Sequence, residues 1–149
     1  MPLLLKLVAA ALLAFGNLTA VAQSLRPDLK LSLYDLSPKE AKPGQRIEVT
    51  DETRNVGNSA ATTTVCEFWL GPRSDSTDGA VKLDQWTKNV ENLAPNRTFV
   101  RPIGSRHFTI PTGTTNRGSQ FVIGILRRVT AESNLANNTN AVAVTILAP

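Results

Sequence analysis

Apolar and polar residues alternate along most of the chain with a period of two. Leu29, Leu31 and Leu33 are interleaved with Lys30, Ser32 and Tyr34, the pattern of a strand with one face in a core and the other in water. Residues 46–55 repeat it: Ile47 and Val49 share a face, and Asp51, Thr53 and Asn55 follow on that same face. Over 62–70, Thr64, Cys66, Phe68 and Leu70 lie on one side and Val65, Glu67 and Trp69 on the other. This segment is rich in the β-branched and aromatic residues that strands favour. A weaker strand is expected over 81–90, with Val81, Leu83 and Trp86 as its apolar points. Residues 99–110 read as extended but are broken by Pro102 and Gly104, which predicts an edge strand or two short pieces. Phe121, Ile123 and Ile125 alternate with Val122, Gly124 and Leu126, so this strand is apolar on both faces and belongs in the middle of a sheet. A last strand sets Val142, Val144 and Ile146 against Ala141, Ala143 and Thr145.

Turn chemistry separates these segments. Pro43-Gly44 joins a preset φ to a residue that accepts a positive one. Asn55-Val56-Gly57-Asn58, the polar stretch 71–79 and the Asn-rich stretch 132–139 are further breaks. No sustained helical period occurs. About seven short strands with such turns predict an all-β fold, an immunoglobulin-like or fibronectin-III-like sandwich. One position conflicts with the pattern. Asp51 falls on a face expected to be buried, which is costly unless the charge is paired, so either the strand bulges there or Asp51 meets a basic partner.

The N-terminal segment differs in kind. Lys6, the apolar run 7–15 and the ending Ala20-Val21-Ala22 have the form of a cleavable secretory signal over 1–22. The apolar run is too short to cross a bilayer of about 30 Å comfortably. Residues 23–149 then form a single expected domain, secreted or periplasmic. The whole chain carries 16 Lys and Arg against 12 Asp and Glu, a formal charge of +4. Because these basic residues are scattered, no nucleic-acid partner is expected, and weak attraction to an acidic envelope polymer fits better. The one cysteine, Cys66, makes no internal disulfide. Its place in an alternating apolar run predicts a small buried side chain.

Few residues offer chemistry. Asp75, Asp78 and Asp84 lie within ten residues and supply oxygen ligands of the kind Ca²⁺ takes, although the spacing matches no EF-hand and a solvated loop is the simpler reading. No other cofactor is expected. The connections after the second and the penultimate strand share one end of a sandwich, so Asn55, Asn58, Glu132 and Asn134 are expected to form a rim there. Asparagine builds such turns unaided, and Leu135 is expected to plug the end of the sandwich. Trp69, beside Glu67, is a contact for a protein or sugar if its face is open and ordinary packing if another segment covers it. A catalytic grouping of Cys66, His107 and Asp51 lacks any supporting motif.

Three stretches taken in order resemble a known module. They are Pro27-Asp28-Leu29, then Pro43-Gly44-Gln45 leading to Asn55-x-Gly57, and finally Glu132-Ser133-Asn134-x-Ala136-Asn137-Asn138-Thr139. Together they are similar to the CARDB module, the cell-adhesion-related domain found in bacteria, over about 27–146. The resemblance implies an exported immunoglobulin-like β-sandwich of a surface protein, with a binding or spacing role rather than catalysis. This chain departs from such modules at Asp51, where an apolar residue is usual, at Leu135, where an acid is frequent, and at Leu126-Arg127-Arg128, near which an acid is frequent. The expected function is therefore non-catalytic recognition of a protein or glycan of the cell envelope. The alternatives are strand addition along the edge of 99–110 and, more distantly, a small hydrolase. The sequence sets no oligomeric state.

Overall fold

The computed structural model describes residues 25–83, 88–90, 92–100, 106–127 and 131–149. The proposed signal segment 1–22, and with it Asp84, Trp86, Pro102, Gly104 and Arg128, lie outside the described residues. In chain order the strands are β1 (Leu29–Ser37), β2 (Glu40–Ala41), β3 (Arg46–Asn55), β4 (Thr64–Gly71), β5 (Val81–Lys82), β6 (Lys88–Val90), β7 (Thr98–Val100), β8 (His107–Thr109), β9 (Gly118–Arg127) and β10 (Thr139–Ile146).

Two sheets face each other. In the first, β3 is central, with β1 on one side and β7 and β8 in line on the other. The second runs β2-β10-β9-β4, and β4 is flanked in line by β5 and β6. Among the described residues, ten short segments thus occupy eight strand positions, three in the first sheet and five in the second. The expected extended stretch 99–110 is the paired pieces β7 and β8, and the weak strand 81–90 is β5 and β6. Each pair borders one long central strand, so the all-β sandwich is the observed fold.

The alternation read along the chain places the core. Leu29, Leu31, Ile47, Val49, Cys66, Phe68, Leu70, Val122, Leu126, Val144 and Ile146 are all buried between the sheets. Phe68 of β4 and Phe108 of β8 meet across the core with ring centroids 4.9 Å apart. Fully burying a side chain of this size contributes roughly 1.5–3 kcal/mol. Gly124 sits opposite Phe68 in the β4–β9 register. A Cβ there would lie 2.8 Å from Leu31 and 3.3 Å from the Phe68 ring, so the glycine makes room for the aromatic pair.

β1 shows how the chain crosses between sheets. Its register with β3 shifts between Leu33 and Asp35. The bulge moves the inward positions from odd to even numbers beyond it, so Leu36 is buried and Asp35 is exposed. After Pro38, β2 continues on the second sheet and pairs in parallel with the end of β10.

The conflict at Asp51 is resolved by pairing. Asp51 is 0% exposed, and its Oδ1 lies 3.1 Å from Nε of Arg106, whose side chain is 2% exposed. The Arg106 guanidinium also lies 4.6 Å from the centroid of the Phe68 ring. Both expected alternatives occur in part, because the bulge falls in β1 directly across from Asp51 and Thr50.

Candidate functional site

At one end of the sandwich the turn after β3, the segment before β1, the segment before β7 and the β9–β10 turn converge. Asn55, the last residue of β3, organises them. Its Nδ2 donates to the carbonyls of Ser59 (2.8 Å) and Leu93 (2.9 Å). Its Oδ1 accepts from the backbone N–H of Asp28 (3.2 Å) and Gly57 (3.0 Å). Its own N–H donates to Arg97 and its carbonyl accepts from Asn96. Only a planar amide offers two donors and two acceptors in this arrangement. Gly57 is needed for a different reason: a Cβ there would lie 2.5 Å from the carbonyl of Arg26 and from the nitrogen of Asp28.

Asp28 ties the Asn-rich turn to this cluster. Its Oδ1 accepts from Nδ2 of Asn137 at 2.8 Å, and its Oδ2 from the Ser133 hydroxyl at 3.1 Å. Ser133 N–H donates to Pro27, and the carbonyls of Asn137 and Asn138 accept from Leu31 and Leu126. Glu132 is buried and accepts from Asn138 Nδ2 at 2.6 Å. Asn134 closes a local turn by accepting from Ala136 N–H. The Pro27-Asp28-Leu29 motif and the Asn-rich motif, far apart in sequence, are therefore two halves of one hydrogen-bonded knot. Leu135 does not plug the end of the sandwich as expected; it is 48% exposed. The turn is held by polar bonds, and its tip is left to solvent.

These segments frame a cleft of about 650 Å³ lined by Arg26, Asp28, Val56, Gly57, Asn58, Pro95, Asn96 and Ser133. Asn58 holds its wall, because its Oδ1 accepts from the Arg26 backbone N–H at 2.8 Å. Asn96 adopts φ 61°, a left-handed conformation that asparagine tolerates. Of the four residues expected at this rim, Asn58 lines the cleft, while Asn55, Glu132 and Asn134 build the knot beneath and beside it.

The outer face of the second sheet carries Glu67 and Trp69. Glu67 Oε1 accepts from Nζ of Lys82 at 3.0 Å, and its Oε2 from Nε of Arg127 at 2.7 Å. Lys82 Nζ also lies 5.7 Å from the centroid of the Trp69 ring. Both oxygens of Glu67 are thus engaged by the chain's own cations. Trp69 is partly buried. Its neighbour Ile123 also points outward but is 0% exposed, because the polar loop lies across this face: Asp75, Ser76 and Thr77 share a crevice with Ile123, Ile125 and Thr139. The Arg127 hydrogen bond, aided by Lys82, holds the Glu67 carboxyl below its ordinary pKa against the opposing effect of burial. A depressed carboxylate stabilises the fold above its unfolded pKa and loses that contribution as pH falls through its folded value. Acid titration of Tm should therefore show a smaller loss below pH ~4.5 for Glu67→Gln than for the wild type. Parallel curves would remove the linkage.

Other candidate groups are held apart. Asp75 forms a two-point pair with Arg73, Nε–Oδ1 3.0 Å and Nη2–Oδ2 3.2 Å. Asp78 contributes its backbone N–H to Ser76 Oγ. Cys66 is buried in the core, His107 Nδ1 lies 3.1 Å from Glu48, and Asp51 is paired with Arg106. Each member of the notional Cys66–His107–Asp51 grouping has a separate environment. Sequence reasoning did not name Arg106, which closes the charge of Asp51, and named Asp28 only as part of a motif, without its role as the acceptor at the centre of the knot. The buried-face position of Asp51 was the signal for the first, and the Pro-Asp-Leu motif for the second.

No family model matches the chain, and no curated protein matches it in sequence. Solved structures do match. The CARDB domain of the PF1109 protein from Pyrococcus furiosus, in complex with di-metal ions, aligns with a TM-score of 0.56 at 18% identity, over 82% of this chain and 90% of that one. A domain from Methanosarcina acetivorans, whose protein is named for the cell surface, aligns with a TM-score of 0.53 at 22% identity, over 82% and 93%. A β-glucosidase from Listeria innocua contains a similar domain within a larger enzyme (TM-score 0.50, 15% identity, 83% of this chain and 16% of that one). A di-metal centre does not fit the described residues here. Among them no three His, Cys, Asp or Glu side chains gather, and Asp75 is already bound by Arg73. Among the described residues no helix is long and apolar enough to cross a membrane. By its two sheets, its strand order and these alignments, the chain has the fold of the CARDB domains, an immunoglobulin-like β-sandwich.

Proposed function

We propose that this protein is an exported, non-catalytic binding module that holds a protein or glycan of the cell envelope in the cleft at the loop end of the sandwich. The observation that carries the reading is the cleft itself, whose lining comes from four chain segments fixed to one another through Asn55 and Asp28. Loops positioned by a rigid scaffold are where such folds present their binding residues. The separate environments of Cys66, His107 and Asp51 support a binding role over hydrolysis. The signal-like N-terminal segment and the cell-surface name of one structural neighbour support export.

Recognition at the cleft makes a different prediction from recognition at Trp69. Val56 is 41% exposed at the cleft wall, so Val56→Trp fills the mouth without disturbing the core. Retention of the purified protein on its own envelope fraction should fall at least tenfold for Val56→Trp and stay within twofold for Trp69→Leu. Binding that survives Val56→Trp, or fails with Trp69→Leu at unchanged Tm, moves the site to the sheet face.

A further inference from the structure

The charges around this cleft are unbalanced in a way the fold itself does not require. Lys30 of β1 and Arg54 of β3 are direct cross-strand partners, and both are exposed. Like charges placed opposite each other on a sheet are destabilising. Lys30 lies two residues after Asp28, and Arg54 two residues before Val56, both residues of the cleft lining. Arg26 lines the cleft, and Arg97 follows the lining residue Asn96; both are exposed.

The three acids at this end keep their charges, one fewer than these four cations, and make their contacts elsewhere. Asp28 and Glu132 have oxygens committed to Asn137, Ser133 and Asn138 inside the knot. Glu52, the next acid along the face of Arg54, accepts from the Tyr34 hydroxyl, a bond that raises the Tyr34 pKa. Among the described residues, no ion pair joins Arg26, Lys30, Arg54 or Arg97 to a carboxylate.

We propose that the cleft binds an acidic polysaccharide, its carboxylate-bearing sugars meeting Arg26 within the cleft and Lys30, Arg54 and Arg97 beside it. The inference rests on the cleft being the recognition surface and adds the chemistry of its ligand. The concave shape favours a chain over a membrane surface, since a flat layer of headgroups would touch only the rim. Asn58, Asn96 and Ser133 put amide and hydroxyl groups along the lining, where sugar hydroxyls need partners. The exposed side chains of Val56 and Leu135 give the apolar faces of the rings a surface to pack on.

The test is calorimetric titration with polygalacturonate, with neutral dextran and phosphatidylglycerol vesicles as comparators. Polygalacturonate should bind, dextran should not, and raising the salt from about 50 to about 300 mM should weaken binding several-fold. Lys30→Glu turns a repulsive cross-strand pair into an attractive one. It should raise Tm by about one or two degrees while weakening polygalacturonate binding at least fivefold. A residue with a merely structural role would not separate these readouts in opposite directions. Lys39→Glu makes the same change in net charge at the far end of the sandwich and should leave binding within twofold. Lys30→Gln, which removes charge without adding any, should weaken binding to an intermediate degree.

Equal losses from Lys39→Glu and Lys30→Glu would overturn the proposal in favour of diffuse attraction. Binding to the vesicles but not to polygalacturonate would overturn it in favour of a lipid surface. If polygalacturonate fails to bind while Val56→Trp still abolishes envelope retention, the acidic-ligand inference falls and the cleft remains the site. If Val56→Trp leaves retention intact, both fall.

Discussion

Replacing Arg106 with alanine should lower stability by about 3–5 kcal/mol, the cost of leaving one partner of a buried ion pair alone. For a domain of this size that is a fall in Tm of roughly 10–20 °C. The reason is the position of Asp51, 0% exposed on the inner face of β3, with the Arg106 guanidinium as its countercharge at 3.1 Å. Removal of Arg106 also takes away the group stacked over Phe68. The double variant Asp51→Val, Arg106→Leu should recover most of the loss, because an apolar pair of similar volume carries no desolvation penalty. Thermal unfolding of the two singles and the double measures the coupling directly. A double variant no more stable than Arg106→Ala would show that the site depends on shape rather than charge.

The second large effect is expected at Asn55. Alanine there removes four side-chain hydrogen bonds and leaves the Ser59 carbonyl and the Asp28 N–H without their partner, while the Leu93 carbonyl keeps only the Ala61 N–H. Stranding buried polar groups costs about 1–3 kcal/mol each, and partial rescue by water brings the expected total to about 3 kcal/mol. Asn55→Asp is the sharper test. It keeps the shape and the acceptor toward Gly57 but turns an oxygen toward the carbonyls of Ser59 and Leu93. It should destabilise at least as much as alanine at neutral pH and recover partly in acid, where the carboxyl gains a proton to donate. Urea unfolding at pH 7 and pH 4 reads both; a loss below 1 kcal/mol would mean that the loop end is held by other contacts.

Much of this fold was legible because period-two alternation is a direct projection of a two-faced sheet. Ile47 and Val49, Cys66 and Phe68, and Val144 and Ile146 all point where the alternation put them. Legibility failed where the backbone changed the count. The bulge after Leu33 carries Leu36 rather than Asp35 inward, and no local propensity announces a bulge. At the outward face of β9 the apolar residues on both sides rightly marked a covered strand but not what covers it. Ile123 was readable as apolar, but a loop lying over it is a tertiary event that alternation does not encode. At the loop end, the asparagines were recognisable as turn builders. Their joint dependence on Asp28 was not, since it spans more than a hundred residues (Asn137 to Asp28, separation 109). The charges that mark the cleft were hidden in a scattered distribution until the β1–β3 register set Lys30 against Arg54.

The passage of β1 into β2 has a mechanical consequence. The chain enters at the end that holds the Asn-rich turn, and β10 runs from that turn toward the opposite end. Between them runs a seam of bonds: Leu31 to Asn137, Leu33 to Asn140, Thr145 to Lys39 and Leu147 to Ala41. The β2–β10 portion is parallel. Tension between residues 25 and 149 would act along this seam, so its bonds would be loaded together in shear rather than unzipped one at a time. A module that grips an envelope polymer at one end would therefore carry the strain of that attachment along its length, through the strands themselves.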